Sequence, residues 1–168
     1  MLKRLLTIII VVLVITSTYG ISNADESTTL PFSLKWGQSK IEVARVIVAS
    51  GHLPKKLNNT LHFTTVYGGR YSTSTHFTFD DKDQLYWIVM IGVCSDMACA
   101  SSKFDGVQAV LDNSEYKKVH SEGRLKHIYY DVLTDSYVKL RGFMDRGKYV
   151  VLLEYEHGEV SSMKKYGK

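Results

Sequence analysis

The sequence predicts an α+β domain: an antiparallel meander sheet with two helices, laid out as two halves of one helix followed by three strands. Three observations predict it. Ser39-Lys-Ile-Glu42 is a capping box at the head of an amphipathic stretch. Two alternating runs, 61–67 and 71–79, flank Gly68-Gly69 as the arms of a hairpin. The most apolar run after residue 24, Leu85 to Val93, is rich in β-branched and aromatic types and too short for a membrane span, which suits a central strand covered on both faces.

Taken in order, Phe32, Leu34 and Trp36 alternate as in a short strand, and Gly37 breaks it. The first helix runs over 40–50, with Ile41, Ala44, Ile47 and Val48 on one face and Val43 beside it. Gly51 and Pro54 end it. In the hairpin, Leu61, Phe63, Thr65 and Tyr67 form one face of the first arm. Tyr71, Thr73, Thr75, Phe77 and Phe79 form the matching face of the second. Those faces meet only if Tyr67 stands opposite Tyr71, because a one-residue slip turns every side chain over. Asp80, Asp81 and Asp83 form a solvated turn into the central strand. A second helix opens at Ser102, with Asp105 in the capping-box position, and buries Phe104, Val107, Val110 and Leu111. Strands return at 125–134, 137–144 and 149–157, with an extended piece allowed at 116–119. Residues 39–93 and 102–157 thus repeat one arrangement.

Residues 1–24 read as a secretory signal peptide. Lys3 and Arg4 are basic, Leu5 to Ile15 is apolar, and Ser22-Asn23-Ala24 supplies the cleavage site. This predicts an exported protein, periplasmic or secreted, with no stable membrane anchor after cleavage. Residues 25–31 read as a disordered lead, 32–157 as a single α+β domain and 158–168 as a flexible tail. Removing Lys3 and Arg4 from the 21 basic residues leaves 19 against 17 acidic ones, a net charge of +2. That near balance argues against a nucleic-acid partner.

Trp36-Gly37-Gln38-Ser39-Lys40-Ile41-Glu42-Val43 resembles the opening helix of the SmpA/OmlA outer-membrane-assembly lipoproteins and of the β-lactamase-inhibitor-like proteins. Those families set one or two helices on an antiparallel meander and act by binding other proteins, so the resemblance implies the same here. This chain lacks the lipidation cysteine of the lipoproteins, and the match carries over no functional residue.

Cys94 and Cys99 are the only cysteines, an even count in an exported chain, and predict one structural disulfide. Their C-x₄-C spacing is not the C-x-x-C of redox pairs. In the register derived above, His62 stands opposite His76 on the polar face of the hairpin, within reach of one metal ion such as zinc. The chain has 11 tyrosines, a residue type that suits half-exposed sheet surface and binding surface alike. Tyr137, Lys139 and Arg141 alternate with Val138, Leu140 and Gly142 and mark a wet strand face where a protein partner would sit. No G-x-S-x-G or comparable nucleophile signature is present. The sequence therefore points to a small exported binding protein of inhibitor, immunity or envelope-accessory type, without catalysis or a required cofactor. The alternatives are a metal- or ligand-binding protein centred on His62 and His76, and a small hydrolase whose site assembles only in the fold.

Overall fold

The computed structural model describes residues 30–67 and 71–167. The predicted signal peptide, residues 25–29 of the lead and the Gly68-Gly69 turn lie outside the described residues. Two helices, α1 (Lys40–Ala49) and α2 (Met97–Asp112), pack on one side of an eight-stranded sheet. The strands are β1 (Lys55–Leu57), β2 (Thr60–Tyr67), β3 (Tyr71–Phe79), β4 (Leu85–Cys94), β5 (Lys117–Ser121), β6 (Lys126–Asp131), β7 (Ser136–Asp145) and β8 (Lys148–His157). Their order is β1-β2-β3-β4-β8-β7-β6-β5, with every neighbouring pair antiparallel. Each half is a helix followed by a four-strand meander, and the halves join along β4 and β8. Among the described residues no helix is long and apolar enough to cross a membrane.

Each half has a strand beyond its main three, and in the second half that strand, Lys117–Ser121, overlaps the extended piece allowed at 116–119. The extra strands, β1 and β5, are the two sheet edges. All three residues of β1 are exposed, so no buried face imprints alternation on them. The predicted hairpin holds: Tyr67 pairs with Tyr71 and His62 with His76. Between β7 and β8 the chain turns through Arg146 and Gly147, both at positive φ (48° and 76°). That is the two-residue turn whose twist matches the flanking strands.

The capping box of α1 forms, with Glu42 N donating to Ser39 Oγ at 3.4 Å and Ser39 N donating to Glu42 Oε2 at 2.8 Å. The helix is seated by Gly37 N donating to Leu85 O (3.0 Å) and Leu85 N donating to Gln38 O (2.9 Å). Its buried residues are Val43 and Ile47, whereas Ile41 and Val48 are exposed. Apolar residues surround this helix, so the pattern left its buried stripe underdetermined. Helix α2 starts earlier than predicted. Asp96 is its cap, accepting from Cys99 N at 2.8 Å, and the expected opening at Ser102 lies inside the helix. Phe104, Val107 and Leu111 are buried as predicted, while Val110 is exposed. Cys94 at the end of β4 is bonded to Cys99 in the first turn of α2, with Cα atoms 5.8 Å apart. The disulfide therefore ties a strand to a helix, a tether worth about 2 kcal/mol for so short a loop.

Phe32 does not lie on a strand. It sits at φ +64° in a 3₁₀ turn, Pro31–Ser33, and packs edge-on against Phe63 and Phe77. Leu30, placed in the lead, is buried in the core with Leu34. The tail after β8 also differs from expectation. Ser162–Tyr166 form a second 3₁₀ turn, and Met163 is 2% exposed against Ile128, Tyr130 and Tyr137. Burying that methionine contributes about 2 kcal/mol against an ordering cost of roughly 1–2 kcal/mol per residue, and the Tyr137–Gly167 hydrogen bond and the His120–Tyr166 ring stack add to it.

Candidate functional site

Alternation along each strand sends one set of side chains under the helices and the other set to the opposite face. Beneath α1 and α2 lie Phe63, Phe77, Ile88, Met90, Val151, Leu153, Tyr155, Leu140 and Tyr129. Neither helix reaches the second face. Reading the register across it gives three bands. On β2 and β3 it carries His62, Thr64, Ser74 and His76. On β4 and β8 it carries Val89, Ile91, Val93, Val150 and Leu152. On β7 and β6 it carries Lys139, Arg141, Phe143 and Lys126. The outer end of that third band, at Tyr130 and Tyr137, is roofed by the C-terminal 3₁₀ turn.

The predicted partner residues divide. Tyr137 is fully buried beneath Met163, and its hydroxyl donates to Gly167 O at 3.2 Å. It is a core residue, contrary to the expectation that it lines a wet face. The missing signal was the tail, whose sequence has no periodicity to announce that it folds back. Lys139 is largely buried and faces Glu154 Oε2 as an ion pair rather than a well-directed hydrogen bond. Arg141 keeps part of its surface. Its guanidinium lies 4.8 Å from the Phe143 ring centre, and both residues line a 390 Å³ hollow with Lys126 and Glu122.

His62 and His76 stand side by side as the register requires. Their ring centroids are 5.5 Å apart and their planes differ by 15°. His76 Nε2 is hydrogen-bonded to Ser74 Oγ at 2.8 Å. Burial, with a smaller contribution from His62, holds the His76 imidazole below its ordinary pKa of 6.5. Among the described residues, no group of three or more His, Cys, Asp or Glu side chains lies together as a metal-holding set.

Among the described residues, three nitrogens on this face are screened from water without a hydrogen-bond partner: His62 Nδ1, Trp87 Nε1 and Arg141 Nε. They come from β2, β4 and β7, spread over the face the helices leave open. Leaving such a group unbonded costs about 1–3 kcal/mol, so this face is incompletely satisfied in the isolated chain.

A second concavity, missed by the sequence reading, lies where β3 turns into β4. It is a 660 Å³ cleft whose lining includes Trp36, Tyr86, His157, Asp81 and Glu159. Trp36 Nε1 donates to Ser136 Oγ at 2.8 Å, and its ring lies 5.7 Å from that of His157. These residues come from positions 36 to 159, and no spacing in the sequence links them. The predicted Asp turn at its rim is a turn: Asp80 Oδ1 accepts from Lys82 N and Gln84 N, both at 2.8 Å, and Asp83 pairs with Lys40 at 2.6 Å.

Compared with known proteins, the chain matches no family model, no curated protein and no solved structure.

Proposed function

We propose that this chain is a small exported protein that binds another protein through the sheet face opposite its helices, and that it acts without catalysis as an inhibitor, immunity factor or envelope accessory. The observation that carries this reading is the composition of that face. An apolar band runs between a hydroxyl- and imidazole-bearing band and a cationic one; Ile91 and Val93 are its half-buried members, and Val150 and Leu152 are buried at 7% and 8% exposure. The apolar character continues outward to Val66 at 67% exposure and Phe143 at 37%. An apolar centre with an arginine and an aromatic residue beside it has the make-up of a protein-binding patch. The resemblance at 36–43 to small exported binding proteins points the same way, as does the apolar leader at 5–15.

The test is capture of a partner from envelope and culture-fluid extracts by the tagged protein. Ile91→Asp combined with Arg141→Glu changes the centre and rim of the face and abolishes specific capture. Ile41→Asp, on the exposed side of α1, leaves it intact. Equal capture by all three proteins removes this face from consideration.

A further inference from the structure

The 660 Å³ cleft where β3 turns into β4 lies at a break in the strand ladder. Phe79 pairs with Leu85 and Thr78 with Trp87, so Tyr86 between them has no partner on β3. The pairing of β4 with β8 also begins only at Trp87 with Glu156. Tyr86 is thus the extra residue of a β-bulge, and a bulge re-aims the side chain it carries. The half-buried tyrosine lines the cleft, and the buried Phe79 and Leu85 add apolar lining.

The walls are fixed by bonds within the chain. Trp36 is held by Nε1 donating to Ser136 Oγ at 2.8 Å, with its ring 5.7 Å from that of His157. The Asp turn is held by Asp80 Oδ1, which accepts from Lys82 N and Gln84 N, and by Asn59 Nδ2, which donates to Asp80 O at 3.0 Å. These bonds position Asp81 without using its carboxylate. The charge of the lining is one-sided. It includes Asp81 and Glu159 but, among the described residues, no lysine or arginine. Both carboxylates are exposed, and neither has a hydrogen bond or ion pair with a described residue. Lys40 and Lys164 reach the lining residues Asn59 and Glu159 but are engaged there, Lys40 with Asp83 and the Asn59 amide, Lys164 with the Glu159 main-chain carbonyl. The chain as a whole carries a net charge of +4, so this acidity is local to the cleft.

We propose that the cleft binds an organic cation, an alkylammonium or guanidinium group, with its apolar stem against Tyr86 and Trp36 and its charge toward Asp81 and Glu159. Aromatic faces attract such cations through the ring quadrupole. Carboxylates without an internal partner supply charge-assisted hydrogen bonds. The volume falls within the range of small-molecule sites, about 300–1,000 Å³. A lysine or arginine side chain of a partner and a free polyamine both present this chemistry. No lining residue belongs to the apolar or cationic band of the open sheet face, so the cleft acts independently of what that face binds.

The experiment is an NMR titration of the purified protein that follows the Trp36 indole N–H and the Tyr86 ring signals. The probes are Nα-acetyl-lysine methylamide, Nα-acetyl-arginine methylamide and spermidine. The uncharged Nα-acetyl-norleucine methylamide and maltose are the controls. The expected result is saturable shifts of both signals by a cationic probe, with a Kd on the order of 1 mM that weakens with added salt. Saturation by the amino-acid amides alone assigns the site to a partner's side chain, and tighter saturation by spermidine assigns it to a free polyamine. Asp81→Asn combined with Glu159→Gln weakens binding about tenfold, and Tyr86→Leu weakens it about threefold. Glu115→Gln, outside the cleft, leaves it unchanged. The double variant removes no contact within the chain, and an unchanged Tm verifies its fold. The proposal is overturned if no cationic probe shifts both signals, if the norleucine amide or maltose shifts them as strongly, or if the double variant binds the cation as well as the wild type does.

Discussion

Lys139 on β7 and Glu154 on β8 are directly opposed and joined by an ion pair on the sheet face away from the helices, with side chains only 18% and 10% exposed. Val89 and Ile128 stand on either side of the pair. Two charges held in so apolar a setting depend on each other, because either one alone would be a shielded charge without a counter-ion.

The first prediction follows from that dependence. Lys139→Met and Glu154→Leu each destabilise the protein by about 3 kcal/mol, and the double variant recovers most of the loss. Urea denaturation of the four proteins measures this. A double variant no more stable than the worse single one shows that the two charges do not support each other.

The second prediction concerns acid. His76 and His127 both have imidazoles held below the ordinary value of 6.5, in each case first by burial. His62 adds to the effect on His76 and Lys118 to that on His127, where a backbone hydrogen bond and Asp112 oppose it. A histidine whose folded-state pKa is lowered takes up its proton more readily when unfolded. Stability is therefore complete above about pH 6.5 and falls as the pH drops from there toward the lowered folded-state values. Thermal melts between about pH 7.5 and pH 5 show a falling Tm, and the slope is shallower in His127→Gln and in His76→Gln. An unchanged slope in both variants would assign the acid sensitivity to other groups.

The third prediction rests on Gly92. A Cβ at this position would stand 3.0 Å from Tyr71 Oη and 3.1 Å from Tyr71 Cε2, so the tyrosine ring occupies the space a side chain would need. Lys103 Nζ sits 4.6 Å from the centre of the same ring and holds it in place. Gly92→Ala costs about 1–2 kcal/mol from overpacking. In a Tyr71→Val background the same substitution costs almost nothing, as measured by chemical unfolding. An equal cost in both backgrounds would locate the strain elsewhere.

The sheet was legible where one face of a strand is buried and the other is not. Matching Leu61 and Phe63 to Phe77 and Thr75 was enough to place His62 opposite His76. Cap and turn chemistry was legible as well, at Ser39-Glu42 and at the Asp80–Asp83 turn. What escaped has a common physical cause: structure held by contacts distant in sequence, with no local period. The edge β1 is too exposed to carry an alternating pattern, and β5, foreshadowed only as an extended piece at 116–119, has just its middle half-buried. Asp96 and Ser102 are both good caps, and the disulfide to Cys99 favours the earlier helix start. Tyr137 looked available because its alternation was sound, yet the residue that covers it, Met163, lies 26 positions later in an aperiodic segment.

The join between β4 and β8 has a consequence for how the polypeptide reaches its final form. The greasiest strand, Leu85–Cys94, has β3 on one side and finds its other neighbour in Lys148–His157. While the chain is being made, β4 waits with one row of backbone donors and acceptors unpaired until more than fifty further residues have followed. It is an adhesive edge for that interval, and any product cut short before Lys148 would keep it permanently. The first half of this protein is thus an aggregation hazard on its own rather than a smaller working version of the whole.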